Sequence, residues 1–147
     1  MEAVVVYESN FGNTRKVAEA IARGLGPGSH VVEAEKFNAG HLKPGQLLIV
    51  GSPINAWRPL PEISGWLEAL APDALSGIRA TSFDTRVKSF FHGDAAKKIA
   101  HALEAAGAEQ AAAPTSYFVE GKEGPLLDGE LERAEQWGAQ LAAEKVG

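Results

Sequence analysis

Ala3-Val4-Val5-Val6-Tyr7-Glu8-Ser9-Asn10-Phe11-Gly12-Asn13-Thr14 decides how this chain is read. Residues 3–7 form a short run rich in β-branched side chains, with no polar alternation. That pattern belongs to a strand covered on both faces, as in the centre of a parallel sheet. The period then changes. Over residues 13–25, Val17, Ile21 and Leu25 recur at every fourth position, with Arg15, Glu19 and Arg23 between them. This spacing predicts an amphipathic helix, stopped by Gly24, Gly26, Pro27 and Gly28.

The polar loop at 8–14 thus joins a buried strand to a helix. Two readings of it are open. In the first, loop N–H groups and the helix N-terminus converge on an anion, with Ser9, Asn10 and Thr14 adding side-chain donors. Four or five hydrogen bonds to a charged group, at about 1.5–3 kcal/mol each, suffice to hold a phosphate dianion without a lysine. In the second, Asn13 or Ser9 simply caps the helix. Two better-known phosphate loops are excluded. The segment lacks the Gly-Lys-Ser/Thr ending of nucleoside triphosphatases, and Gly12 stands alone where a dinucleotide site needs three spaced glycines.

Outward from this loop the chain keeps alternating. Residues 30–37 read as a weaker, glutamate-bearing edge strand, and residues 46–50 as a second apolar strand ended by Gly51-Ser52-Pro53. Ile63, Trp66, Leu67 and Leu70 mark a helix over 61–70, with Pro61 in its first turn. Further strands are expected at 78–83 and 116–119, and further helices at 94–106 and 130–143. Such an order in a small chain predicts an α/β fold with a parallel sheet covered on both sides, as a single domain over 1–147.

Composition narrows the chemistry. The 147 residues include no cysteine, which removes disulfides, iron–sulfur clusters and thiol nucleophiles. A net charge of −5 argues against nucleic acid as a partner. No stretch approaches the roughly 18 apolar residues of a membrane span, and the first residues lack the features of a signal peptide, so a soluble cytoplasmic protein is expected. His30, His41, His92 and His101 show no metal-ligand spacing. No Gly-x-Ser-x-Gly elbow is present, and Gly51-Ser52-Pro53 stands where a response regulator has its acceptor aspartate.

Ser9-Asn10-Phe11-Gly12-Asn13-Thr14 after a Val-rich strand resembles the flavodoxin phosphate loop, Ser/Thr-x-Thr-Gly-x-Thr. The strand–helix order and the Gly51-Ser52-Pro53 turn, followed by an aromatic residue, extend the resemblance along the whole chain, and an uninterrupted fifth strand resembles the short-chain members. The resemblance implies a three-layer αβα flavodoxin-like fold, with a five-stranded parallel sheet in order 2-1-3-4-5 and FMN at the carboxyl ends of the strands. Phe11 departs from the pattern: it deletes one hydroxyl donor, and its ring either covers the ribityl chain or packs beneath the loop. The family's flavin-stacking tyrosine has no clear counterpart.

Ligands of open parallel sheets bind at the switch point, between the first and third strands here. The resemblance places the phosphate at Ser9, Asn10, Phe11, Gly12, Asn13 and Thr14. It places the flavin ring between the third-strand exit, with Pro53, Ile54, Asn55, Ala56 and Trp57, and the fourth-strand exit, with Asp84, Thr85 and Arg86. Trp57 is read as the stacking face or as a loop anchor, and Trp66 and Trp137 as core. Phe90 and Phe91 either close the other flavin face or pack in the core, and His92 stands in the same loop. A guanidinium of Arg58 or Arg86 near the ring would favour the anionic reduced flavin and raise its potential.

Two function classes follow. One is an FMN redox protein, with an electron carrier preferred over a stand-alone quinone or NAD(P)H oxidoreductase, because the bare fold consumes the chain. The other is a binding protein of the same fold without the cofactor. The expected partners are redox proteins, and the expected state is a monomer or weak dimer.

Overall fold

In the computed structural model of the chain, which describes residues 2–54, 59–88 and 94–146, β1 (Ala3–Tyr7) lies between β2 (Ser29–Glu33) and β3 (Leu47–Pro53), parallel to both. β3 pairs in turn with β4 (Arg79–Val87), again in parallel. Two segments, β5 (Glu109–Gln110) and β6 (Thr115–Val119), run along the far side of β4. The spatial order is the expected 2-1-3-4-5, with β6 as a sixth short strand.

Double pairing explains the sequence pattern. The strands of the interior have apolar residues on both faces, and alternation sorts them into two cores. Val5, Tyr7, Leu47, Ile49 and Phe83 pack on one side, under α1 (Asn13–Leu25) and α4 (Glu130–Val146). Val6, Leu48 and Val50 pack on the other, under α2 (Pro61–Glu68) and α3 (Ala95–Ala105). β2, with one neighbour, is half-exposed as an edge strand should be. It stops at Glu33, where a 3-10 turn over Ala34–Lys36 replaces the rest of the expected strand. Trp137 is buried and Trp66 partly buried, both as expected.

Two expectations change. The fourth strand does not end at residue 83 but runs to Val87. Its polar tail is buried because its groups satisfy one another: Thr85 turns toward α1, while Asp84 and Arg86 pair on the α3 side. Hydropathy cannot show this, since each of these side chains scores as exposed when read alone. The fifth lane is also not one uninterrupted strand. β5, which lies outside the expected strand at 116–119, pairs with Arg79 and Ala80. The chain then bulges through residues 111–114, still tied to β4 by Ala111 N–H to the Ala80 carbonyl (2.8 Å) and Thr81 Oγ1 to the Ala112 carbonyl (2.9 Å).

α4 is fastened to β6 by Glu130. Its carboxylate accepts from Phe118 N–H (2.7 Å) and from Arg133 Nε (2.9 Å) and Nη2 (2.7 Å), while the Arg133 guanidinium lies over the Tyr117 ring. Chiefly through the Arg133 hydrogen bond, and against the opposing effect of burial, the Glu130 pKa lies below its ordinary 4.5. The unfolded chain therefore takes up this proton at higher pH than the native state does. The stabilisation is complete above the ordinary carboxylate range and is lost as pH falls through the native value. Glu130→Gln is expected to lower stability at neutral pH and to flatten its decline in acid, as measured by urea unfolding at several pH values.

α1 and α4 cross at glycines. A Cβ on Gly24 would sit 1.9 Å from the Glu135 carbonyl oxygen, and one on Gly138 2.2 Å from that of Ile21. These contacts are backbone, so the helices must separate to admit a methyl group. Gly24→Ala is expected to destabilise by about 1–3 kcal/mol. Gly65→Ala, in α2 with open space around it, should instead stabilise by about 0.5–1 kcal/mol. Thermal unfolding of the two variants checks the opposite signs.

Candidate functional site

The carboxyl ends of β1, β3 and β4 form a common rim. The loop after β1 is anchored where it begins, by Glu8 N–H to the Gly51 carbonyl (3.1 Å). It turns into α1 through Gly12, whose φ of +90° favours glycine. No side chain caps the helix at that point. Ser9 Oγ accepts from Gly12 N–H (2.9 Å) instead, and Asn13 points its amide away, donating to the Glu123 carbonyl (3.1 Å). The plain cap by Ser9 or Asn13 is therefore absent. The first intrahelical bond runs from Lys16 N–H to the Gly12 carbonyl. The N–H groups of Asn13, Thr14 and Arg15 find no acceptor among the described residues.

A cleft of about 150 Å³ opens at this helix end. Ser9, Asn10, Phe11, Asn13 and Thr14 line it from the loop and α1, Pro53 and Ile54 from the end of β3 and the residue after it, and Thr85 and Arg86 from β4. The structure thus brings nine of the expected site residues to one cleft. Thr14 Oγ1 and Thr85 Oγ1 hydrogen-bond at 2.8 Å, joining α1 to β4. Phe11 does not pack beneath the loop; it is 47% exposed at the cleft. Gly12 shapes the loop rather than lining this cleft.

Asp84 and Arg86 behave differently from Thr85. Asp84 is fully buried and accepts from Arg86 Nε (2.9 Å), from Arg86 Nη2 and from Ala96 N–H (3.0 Å). Arg86 Nη2 also reaches Asp94, at 3.2 Å. Burial alone would lower the guanidinium pKa, but the hydrogen bonds and charges of Asp84 and Asp94 outweigh it and hold the value above the ordinary one. Its charge is compensated by two carboxylates. The expected rise in flavin potential from a free Arg86 charge loses its physical basis, and Asp84 holds arginine and α3 rather than facing a ligand. Asn55, Ala56, Trp57 and Arg58 lie outside the described residues, as do Phe90, Phe91 and His92.

Two residues with no assigned role in the sequence reading brace the rim. Ser52, fully buried at the end of β3, accepts from Leu60 N–H (2.9 Å) and donates to the Pro53 carbonyl (2.8 Å). One hydroxyl thereby holds both feet of the 53–60 connection. Glu8 Oε1 accepts from Ile63 N–H (2.8 Å) in the first turn of α2. Glu8 thereby meets a need of α2, which starts after Leu60 with no side-chain cap of its own.

A larger cleft of about 390 Å³ lies on the other side of the loop, lined by Glu8, Glu33, Glu35 and Glu62 among others. Four carboxylates make it hostile to an anion, so size does not select it.

The family model for flavodoxins matches residues 5–137. A search of curated proteins by sequence returned no match. Among solved structures, the chain is similar to a flavodoxin from the domain Archaea, with 22% identity, full coverage of both chains and a TM-score of 0.80. It is similar to oxidised Flavodoxin 2 from Bacillus cereus at 19% identity, covering 98% of this chain and 99% of that one, TM-score 0.81. It also superposes on the Flv1 flavodiiron core of Synechocystis sp. PCC6803 at 21% identity and TM-score 0.71, over 99% of this chain but 36% of that one.

Ser52→Ala leaves the Leu60 N–H without its buried partner. The variant is expected to lose about 1–3 kcal/mol of stability and to exchange the Leu60 amide proton faster, as followed by hydrogen-exchange NMR. Unchanged exchange at Leu60 would show that another group holds the connection.

Proposed function

Because the chain belongs to the flavodoxin family, whose members bind FMN, we propose that it binds FMN at the uncapped start of α1 and works as an electron carrier. One observation carries the reading: Asn13 and Thr14, whose N–H groups have no acceptor among the described residues, line the same cleft as the Thr14–Thr85 hydroxyl pair. That donor set fits a phosphate monoester. Helix N–H groups and the helix dipole favour negative charge, and hydroxyls add directional bonds. It does not fit a metal ion, and among the described residues no cluster of metal-binding side chains occurs.

Ser9, Asn10 and Thr14 would hold the phosphate, with Gly12 turning the loop into α1 and Asn13 fixing it against the 120–125 turn. Pro53 and Ile54 would border the ribityl chain and ring, with Trp57 as the stacking face. When bound, FMN supplies one- and two-electron redox chemistry, which a chain without cysteine needs from an organic group. The protein's part is to orient the cofactor and shield its phosphate.

A carrier is favoured over an oxidoreductase because the rim connections are short: residues 8–12, 54–60, 88–94 and 120–129 leave little chain to build a substrate pocket. We also read the chain as one domain with a redox-protein partner. No helix among the described residues is long and apolar enough to cross a membrane.

Flavin fluorescence titration tests the reading. Micromolar or tighter FMN binding is expected; none at micromolar FMN overturns it. Thr14→Val and Thr85→Val should each weaken FMN about tenfold, the loss of one hydrogen bond to a charged group, while sparing riboflavin. Equal losses for both ligands would show that the phosphate lies elsewhere. NAD(P)H oxidation with quinones and no added reductase would replace the carrier with an enzyme.

A further inference from the structure

The turn over residues 120–125 is docked on the start of α1. Asn13 Nδ2 donates to the Glu123 carbonyl. Gly124, at φ +104°, lies so close to the Asn13 amide that a Cβ there would be 2.7 Å from it. The turn is closed by Glu120 N–H to the Pro125 carbonyl (2.9 Å) and Gly124 N–H to the Gly121 carbonyl (2.9 Å). It is therefore a built wall of the cleft, set at the end where the helix N–H groups emerge. Glu120, Lys122 and Glu123 are its charged residues, and of these Lys122 lines the cleft.

Three other cations near the rim are committed. Arg86 is held by Asp84 and Asp94. Arg15 pairs with Glu19 at 3.5 Å and lines the acidic cleft instead. Lys88 lies over the Phe118 ring, 5.4 Å from its centroid. Lys122 has no carboxylate within 4.0 Å among the described residues. A phosphate monoester carries about −1.5 to −2 charges at neutral pH, whereas a helix start offers roughly +0.5. In a chain of net charge −5, an ammonium at the cleft adds a full positive charge to donors that otherwise hold the phosphate by hydrogen bonds alone.

We propose that Lys122 is the cationic member of the phosphate site, reaching the ligand from a turn that Asn13 holds in place. The proposal rests on the FMN reading and adds a charge that the loop at 8–14 lacks. Its physical consequence is selectivity: a point charge at the phosphate end distinguishes FMN from riboflavin and leaves the ring contacts alone. The interaction is partly exposed, so salt screens it.

The test measures FMN and riboflavin affinity by fluorescence quenching, at low salt and at about 1 M salt, where the Debye length falls to about 3 Å. Lys122→Ala should weaken FMN about fivefold at low salt, the scale of an exposed ion pair, with riboflavin unchanged and the gap closing at high salt. Lys122→Arg should restore the affinity, Lys122→Glu should weaken it further, and the ³¹P resonance of bound FMN should move in Lys122→Ala. Unaltered FMN affinity, equal weakening of riboflavin, or a loss that persists at high salt would overturn the role of Lys122 while the FMN reading stands. A wild-type protein that binds neither flavin would overturn both.

Discussion

The backbone turns through φ +90° at Gly12 just before α1, and the first N–H groups of that helix are left without a side-chain acceptor. A helix start buried in this way is costly unless something meets it. Here the surrounding structure keeps the site open. Ser9 satisfies Gly12 rather than the helix, Asn13 is drawn off to the 120–125 turn, and Thr14 is turned to Thr85. Each candidate cap is employed elsewhere, so the dipole end faces a cleft. The rest of the rim is arranged around that fact, with β3 and β4 ending beside it.

Electrostatics at the rim are divided by the loop. One side has four glutamates around the larger cleft; the other has hydroxyls, helix N–H groups and one uncommitted lysine around the smaller one. The division follows from topology. The edge strand β2 and the 3-10 turn over Ala34–Lys36 bring Glu33 and Glu35 to one side, while the central β4 brings Thr85 and its enclosed Asp84–Arg86 pair to the other. Asp94 joins the pair through Arg86 and is itself met by Lys97, so the two carboxylates at the fourth-strand exit are matched by two cations.

Much of the fold was legible because packing in an α/β sandwich leaves strong periodicities. The apolar runs within 3–7 and 46–50 are those flanked by strands on both sides, and the helix over 13–25 matches α1 residue for residue. Legibility failed where polar groups are buried against each other. Asp84-Thr85-Arg86 reads as a loop because the sequence does not show that Thr85 faces Thr14 while Asp84 faces Arg86. Glu109–Gln110 escaped because both side chains are exposed and the strand pairs through its backbone alone. At the site, the cleft-lining loop was readable from its position between strand and helix. The bracing by Glu8 and Ser52 was not, since each acts on a segment more than five residues away through a backbone N–H.

The Thr14–Thr85 contact has a further consequence in the arithmetic of protons. Two hydroxyls bring two hydrogens, and their mutual bond uses one. Whichever oxygen donates, the partner keeps a hydrogen that is free to turn toward a third atom. Accepting a bond polarises that second O–H and makes it a better donor. An acceptor arriving in the cleft is therefore met by a hydroxyl already strengthened by its neighbour, and no existing bond has to break first. The pair spans α1 and β4, so the same two oxygens that tie helix to sheet hold one hydrogen in reserve.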